Sequence, residues 1–424
     1  MAIDCDVVVV GAGAAGLAAC AELRRQSPAL RVICLEASSR IGGRIYTRRD
    51  PASLLPVELG AEFVHGRPPE LFRMPELLLY EHTGEALYVR NGKLFANDEA
   101  LFEASERLLA RVKATSGNDR ALAEVLNSSR QPRAIKHRAQ TQLEGFNAAR
   151  KELLSVASLL RDAQAAERIE GDRAFRVLQG YDTVPHTLAA GSDVRLSHAI
   201  DKVEWRKGGV TLRGTCGIDG SSFQVRAAKA IFTVSLAARR GILFDPVPQH
   251  VEDAFARFEL GRVFRITFRF ADRFWEKQEN LRTAGFLIAP KQAFPTWWTT
   301  NPVLTPLLTG WAAGPAADAL AGLDEQALVT QALHSLRNIL GMRGIPRPQA
   351  VHFHDWSRDP LFGGAYSYVK AGGLGARAVV RKPVDGTLYF AGEATAPDGA
   401  GGTVHGAIAS GIRAARQASD ATLK

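Results

Sequence analysis

Residues 4–16 read DCDVVVVGAGAAG, and this stretch decides the fold. Its four successive valines form an apolar run too short for a helix and β-branched throughout, which is the pattern of a strand buried on both faces. Gly11, Gly13 and Gly16 follow at GxGxxG spacing, with Ala15 inside the turn. A stretch of helical period then runs to Gln26, and a second apolar run, residues 31–35, ends at Glu36. The glycines alone would mark only a tight turn; with strand, helix, second strand and acid in order they make a dinucleotide-binding βαβ unit. Gly11 permits the turn, Gly13 lets the backbone approach a pyrophosphate, Gly16 lets helix and strand pack closely, and Glu36 is placed to accept from a ribose 2′-hydroxyl.

Composition bounds the rest. At 424 residues, 46% hydrophobic and 23% charged, the chain has the make-up of a soluble globular protein of two or three domains, which excludes disorder. Its 53 basic and 44 acidic residues leave a net charge of +9, spread too thinly to indicate a nucleic-acid partner. Cys5, Cys20, Cys34 and Cys216 lack CxxC or metal-ligand spacing, so neither a disulfide scaffold nor a metal site is expected. No apolar run approaches the roughly 18 residues of a membrane span. A glycine fingerprint that begins at residue 11 leaves no room for a signal peptide, and the expectation is a cytoplasmic enzyme away from any membrane.

After Glu36 the chain continues EASSRIGGR to Arg44, then ELGAEFVHG at 58–66, and near its end it reads LYFAGEA at 388–394 and GGTVHGA at 401–407. These motifs, which span the first 66 and last 70 or so residues, resemble the flavin-dependent amine oxidase family, which includes monoamine and polyamine oxidases and histone demethylases. The resemblance implies an α/β fold: a Rossmann-like FAD-binding domain with a discontinuous α+β substrate-binding domain. It implies that Arg40, Gly42, Gly43 and Arg44 hold the FAD pyrophosphate and ribityl chain, with Gly60, Ala61 and Glu62 close to the flavin. Gly392 and Glu393 are expected at the ribityl or phosphate region, the amides of Thr403 and Val404 at the flavin N1 edge, and the backbone of Ile200 at the adenine. Two FAD elements some 350 residues apart must meet, so the middle of the chain threads through the FAD domain. The expected division is 1–70, 175–245 and 346–424 for the FAD domain, and 71–174 and 246–345 for the substrate domain, helical over 97–173. Strands are expected at 177–181, 194–203, 209–213, 223–227 and 230–234, and RQPRAIKHR at 130–138 reads as a solvated loop.

The same resemblance shows where this sequence departs. Two facing aromatic rings are expected beside the flavin; Tyr366 matches the first, but Thr403 stands where monoamine oxidases have the second, leaving Trp297 or Trp298 to supply it. Ala365 replaces the cysteine that carries a covalent flavin, which implies non-covalent FAD. In LGRVFRITFRF, Arg265 takes the place of the flavin-facing lysine linked to oxygen activation, unless it is a structural arginine on a strand; it cannot deprotonate, so O2 or another electron acceptor is expected. His65 and His405 resemble the polyamine-oxidase branch, either flanking a substrate tunnel or buried under the flavin. Glu62 is also available to a distal ammonium, and Trp356 is expected to pack on the isoalloxazine. The implied function is oxidation of a small-molecule amine, polyamine-type or other, to an imine that is hydrolysed to an aldehyde or ketone, with O2 reduced to H2O2. A desaturase or protoporphyrinogen-oxidase-like flavoenzyme, and a flavin-bound module without turnover, are the alternatives.

Overall fold

The computed structural model describes residues 2–90, 93–96, 119–397 and 399–420. The opening motif folds as a βαβ unit: β1 (Ala2–Val10), α1 (Ala14–Gln26) and β2 (Val32–Leu35). β1 and β2 run parallel, pairing Val7 with Val32 and Val10 with Leu35, and Val7 to Val10 are buried. The sheet built on them has eight strands. In order these are Asp193–Arg195, β2, β1, Ser222–Phe232, Gly209–Cys216, His198–Arg206 and Leu243–Asp245, with Leu388–Phe390 also pairing Ser222–Phe232.

That last pairing brings the chain ends together. The strand Ser222–Phe232 is antiparallel to Gly209–Cys216 over its first half; its last three residues pair in parallel with Leu388, Tyr389 and Phe390. β1 lies along its other edge, so the two glycine-rich motifs emerge from strands flanking a common neighbour. The C-terminal helix Val404–Asp420 packs on α1, where Gly411 allows the approach: a Cβ there would lie 2.0 Å from the Ala15 carbonyl oxygen.

A seven-stranded sheet makes the second layer, in the order Ala350–Phe353, Val263–Arg269, Leu307–Ala313, Thr296–Trp298, Ala284–Ile288, Glu85–Arg90 and Lys93–Ala96. In Val263–Arg269 the two-residue alternation sends Phe264, Ile266 and Phe268 into a core shared with the helix Glu325–Leu340. Arg265 and Thr267 point the other way and are buried as well. Among the described residues no helix is long and apolar enough to cross a membrane, and no cluster could hold a metal ion; the four cysteines are buried and not joined in disulfides.

The elements correct several expectations. The loop expected over 130–138 ends at Pro132, which caps a helix, Arg133–Asn147, whose inner face buries Ala139 and Glu144. The clustered charges obscured a period in which only one face is apolar. The strand expected over 177–181 ends at Val177, and Gly180, at φ +108°, turns the chain instead. The stretch 194–203 is two strands, broken where Ser197 adopts φ +59°, so that one piece stays beside β2 and the other joins the antiparallel strands. The expected strands 223–227 and 230–234 are one, Ser222–Phe232. Ala350–Phe353 pairs with Val263–Arg269, so the chain leaves the second sheet later than residue 346. Of the helical part expected over 97–173, residues 97–118 lie outside the described residues.

Candidate active site

A single cavity of about 1910 Å³ runs from the βαβ turn to the second sheet. Pockets for one small molecule span about 300–1000 Å³, so this space suits a dinucleotide and a substrate together.

At its nucleotide end the backbone is close-packed. A Cβ on Gly16 would sit 1.8 Å from the Gly11 carbonyl oxygen, and one on Gly43 3.3 Å from the Gly13 Cα. Gly11 itself has φ +103° and lies under the Thr233 side chain, whose hydroxyl donates to the carbonyls of Val10 and Gly11. Glu36, at the end of β2, accepts from the amides of Ala12 (2.6 Å) and Ser38 (2.9 Å) and lines the cavity. Gly11, Gly13, Ala15, Gly42, Gly43, Arg44, Gly60, Ala61, Ile200, Gly392, Glu393, Thr403 and Val404 line it too. Arg44 bonds the Ala365 carbonyl (2.6 Å) and Glu393 (3.0 Å), and Glu393 in turn accepts from Ser367 and the Gly402 amide. This bonding ties the first and last motifs into one wall. Val404 opens the C-terminal helix, whose first N–H groups have no intrahelical carbonyl partner, and Thr403, Val404 and His405 line the cavity there. Bare backbone, an acid for the ribose and a helix N-terminus all fit a flavin dinucleotide.

Arg40 departs from its expected role. Its guanidinium donates to the carbonyls of Ile41, Gly43 and Ile45 and stacks on Tyr46, 4.4 Å from the ring centroid. It shapes the glycine loop from behind rather than lining the cavity.

At the other end stand Phe63, Trp298, Trp311 and Tyr366. The Tyr366 hydroxyl donates to the Phe146 carbonyl (2.6 Å), which fixes its ring. Trp356 is buried, donates to the Leu59 carbonyl (2.7 Å) and lines the cavity. Trp297 does not line it: it is fully buried in the second core and donates to the Phe294 carbonyl (3.0 Å), so of the two expected tryptophans only Trp298 reaches the cavity, and Trp311 joins it there. The Thr403 hydroxyl accepts from the Gly406 amide (3.0 Å) and donates to the Ala400 carbonyl, which makes it a helix cap.

Glu62 corrects another expectation. Its carboxylate is buried and bonded to Arg176, to Arg265 (2.5 Å) and to the Trp298 indole (3.2 Å), so it is not available to a distal ammonium. Burial pushes its pKa up, but the two guanidiniums outweigh that and hold it below the ordinary range. Arg265 also donates to the Gly60 carbonyl (2.9 Å), which places it beside the expected flavin contacts. The sequence gives no sign of Arg176; it arrives from the strand Ala174–Val177, which pairs with Val64–His65. Burial lowers the pKa of His65, and lowers His405 to about 4 with a contribution from His65, so both are neutral at pH 7.

Residues 82–419 match the family described as flavin containing amine oxidoreductase, and residues 9–76 match the NAD(P)-binding Rossmann-like domain. The chain belongs to the flavin-containing amine oxidoreductase family. It is 28% identical over 450 residues to polyamine oxidase 3 of Oryza sativa subsp. japonica, covering 97% of this chain and 88% of that protein. To lysine-specific histone demethylase 1 homolog 3 of Arabidopsis thaliana it is 26% identical over 492 residues, covering 96% of this chain but 29% of the relative. The chain spans between 29% and 58% of the length of three such plant demethylases. Wild-type putrescine oxidase bound to putrescine shares the fold, with a TM-score of 0.82 at 22% identity over 100% of both chains.

Proposed function

We propose that this chain is an FAD-dependent amine oxidase that binds FAD non-covalently and converts a CH–NH unit to an imine, which water hydrolyses to an aldehyde or ketone. The observation that carries this reading is the continuity of one cavity from a dinucleotide cradle to an aromatic end where, among the described residues, no unpaired carboxylate lies beside Tyr366 and Trp298. A bound flavin supplies the acceptor for the hydride equivalent lost from the carbon next to nitrogen. The protein's part is to bind the amine uncharged. Aromatic walls desolvate an ammonium and lower its pKa, and neutral His65 and His405 can accept from the N–H groups. Tyr366, held by the Phe146 carbonyl, orients the chain of the substrate. Ala365 lines the cavity without a thiol, which supports a dissociable cofactor. Overall, two electrons and two protons leave the amine for the acceptor; O2 as acceptor yields hydrogen peroxide. Purified FAD-loaded protein supplied with amines and a redox dye is expected to reduce the dye only with amine, releasing one carbonyl product per pair of electrons. A C–C desaturated product, or dye reduction without a carbonyl, contradicts the reading.

Arg265 bears on the acceptor. A permanently charged, doubly bonded guanidinium stands where a lysine would hold a point charge and a mobile proton. Stopped-flow mixing of reduced protein with air-saturated buffer is expected to show slow reoxidation that Arg265→Lys accelerates by about tenfold, equivalent to roughly 1.4 kcal/mol of barrier. Fast reoxidation indifferent to the substitution means that O2 is the acceptor without help from residue 265.

A further inference from the structure

The helix Arg133–Asn147 runs along the cavity from Phe146, which holds Tyr366, out to Ala134. Ala134, Arg138, Thr141 and Gly145 recur on its cavity face at helical spacing. Arg138 lies over the Tyr88 ring, 4.3 Å from its centroid, and one of its terminal nitrogens is buried without a hydrogen-bond acceptor. Among the described residues Arg138 has no ion-pair partner. A buried unpaired guanidinium N–H is costly, and such a group in a cavity wall calls for a ligand or ordered water. A second cation stands nearby in the fold: Ile288 is the sheet partner of Tyr88, and Lys291, three residues on, lines the same cavity.

The carboxylates of the cavity are spent elsewhere. Glu62 is held by Arg176 and Arg265, Glu393 by Arg44, Asp162 by Arg377, and Glu36 by backbone amides. Asp172, exposed at the rim, is the exception among the described residues. A polyamine would therefore bring its second ammonium to a wall that offers cations.

We infer that Arg138, with Lys291 at the rim, is an anion subsite, and that the substrate is an amine carrying a carboxylate or comparable anion at its far end. The subsite rests on the amine-oxidase reading for the identity of the reacting group, though not for the anion. From Phe146 to Arg138 is eight residues of helix, roughly 12 Å at 1.5 Å per residue, which an aliphatic chain of about nine carbons spans. The carboxylate takes the open guanidinium N–H in a charge-assisted hydrogen bond while the amine lies between Tyr366 and Trp298.

The test compares ω-aminononanoate, nonylamine and diaminononane as reductants, in wild type, Arg138→Gln and Arg138→Lys. Wild type is expected to favour ω-aminononanoate. Arg138→Gln is expected to lower kcat/KM for it by about 10–100-fold more than for nonylamine, the worth of a hydrogen bond to a charged group, with partial recovery in Arg138→Lys. Calorimetric binding of nonanoate, which carries no amine, gives a readout independent of turnover: it is expected to weaken by a similar factor in Arg138→Gln. Preference for diaminononane, or an equal penalty on all three amines, overturns the inference. If no amine is oxidised, the function proposed above fails while nonanoate still decides the subsite: equal binding to wild type and Arg138→Gln refutes it.

Discussion

Glu62→Gln is expected to destabilise the protein by about 3–5 kcal/mol, because removing one member of a buried ion cluster leaves its partners charged and uncompensated. Glu62, Arg176 and Arg265 are all buried, and among the described residues the Glu62 carboxylate is the single anion that both guanidiniums bond. Glutamine keeps the shape and one acceptor oxygen but removes the charge. Urea unfolding of the apoprotein measures the loss without involving the flavin. Arg265→Met added to Glu62→Gln is expected to cost less than the sum of the two single changes, since the second removes a charge the first has stranded. A loss below about 1 kcal/mol for Glu62→Gln is what an exposed, screened pair would give, and would mean that the cluster is hydrated rather than buried.

The second large effect is at Gly16. An alanine there would set its Cβ 1.8 Å from the Gly11 carbonyl oxygen and 2.8 Å from the Thr233 hydroxyl oxygen, and neither is the end of a flexible side chain. α1 must then retreat from the turn it closes, at an overpacking cost of about 1–3 kcal/mol or more. Because the same turn carries Gly11 and Gly13, Gly16→Ala protein is expected to purify with less than a tenth of the flavin of wild type, at roughly the cost of one pyrophosphate contact or more. Gly145→Ala is the control. It lies within the helix Arg133–Asn147, has nothing within 4 Å of its would-be Cβ, and should gain about 0.5–1 kcal/mol from reduced chain entropy. Yellow, stable Gly16→Ala protein would show that helix and turn can separate without loss of the cofactor.

The contrast between these positions explains what the sequence discloses. Gly11, Gly13 and Gly16 act through backbone contacts within one turn, so spacing and neighbours suffice to read them. The meeting of the two chain ends follows from motif content, since both halves of one cradle must share a sheet. Glu62 could not be read correctly, because its partners lie 114 and 203 residues away and nothing in its own surroundings names them. Arg40 misled for a related reason: an arginine beside paired glycines fits a phosphate contact and equally fits a loop whose carbonyls need a donor. Thr403 carries the signal of a cap, a hydroxyl three residues before the Gly406 amide it accepts from, but its place in a motif where relatives hold an aromatic ring obscures it. The helix Arg133–Asn147 is hidden by its charges, although it is what brings Arg138 to the cavity wall.

Anaerobic titration of the FAD-loaded protein with amines, followed by absorbance at the flavin band and by recovery of the product, tests amine oxidation most directly. Amine oxidation predicts bleaching that saturates, with one equivalent of aldehyde or ketone for each flavin reduced. A flavin that stays yellow in primary, secondary and carboxylate-bearing amines alike contradicts it.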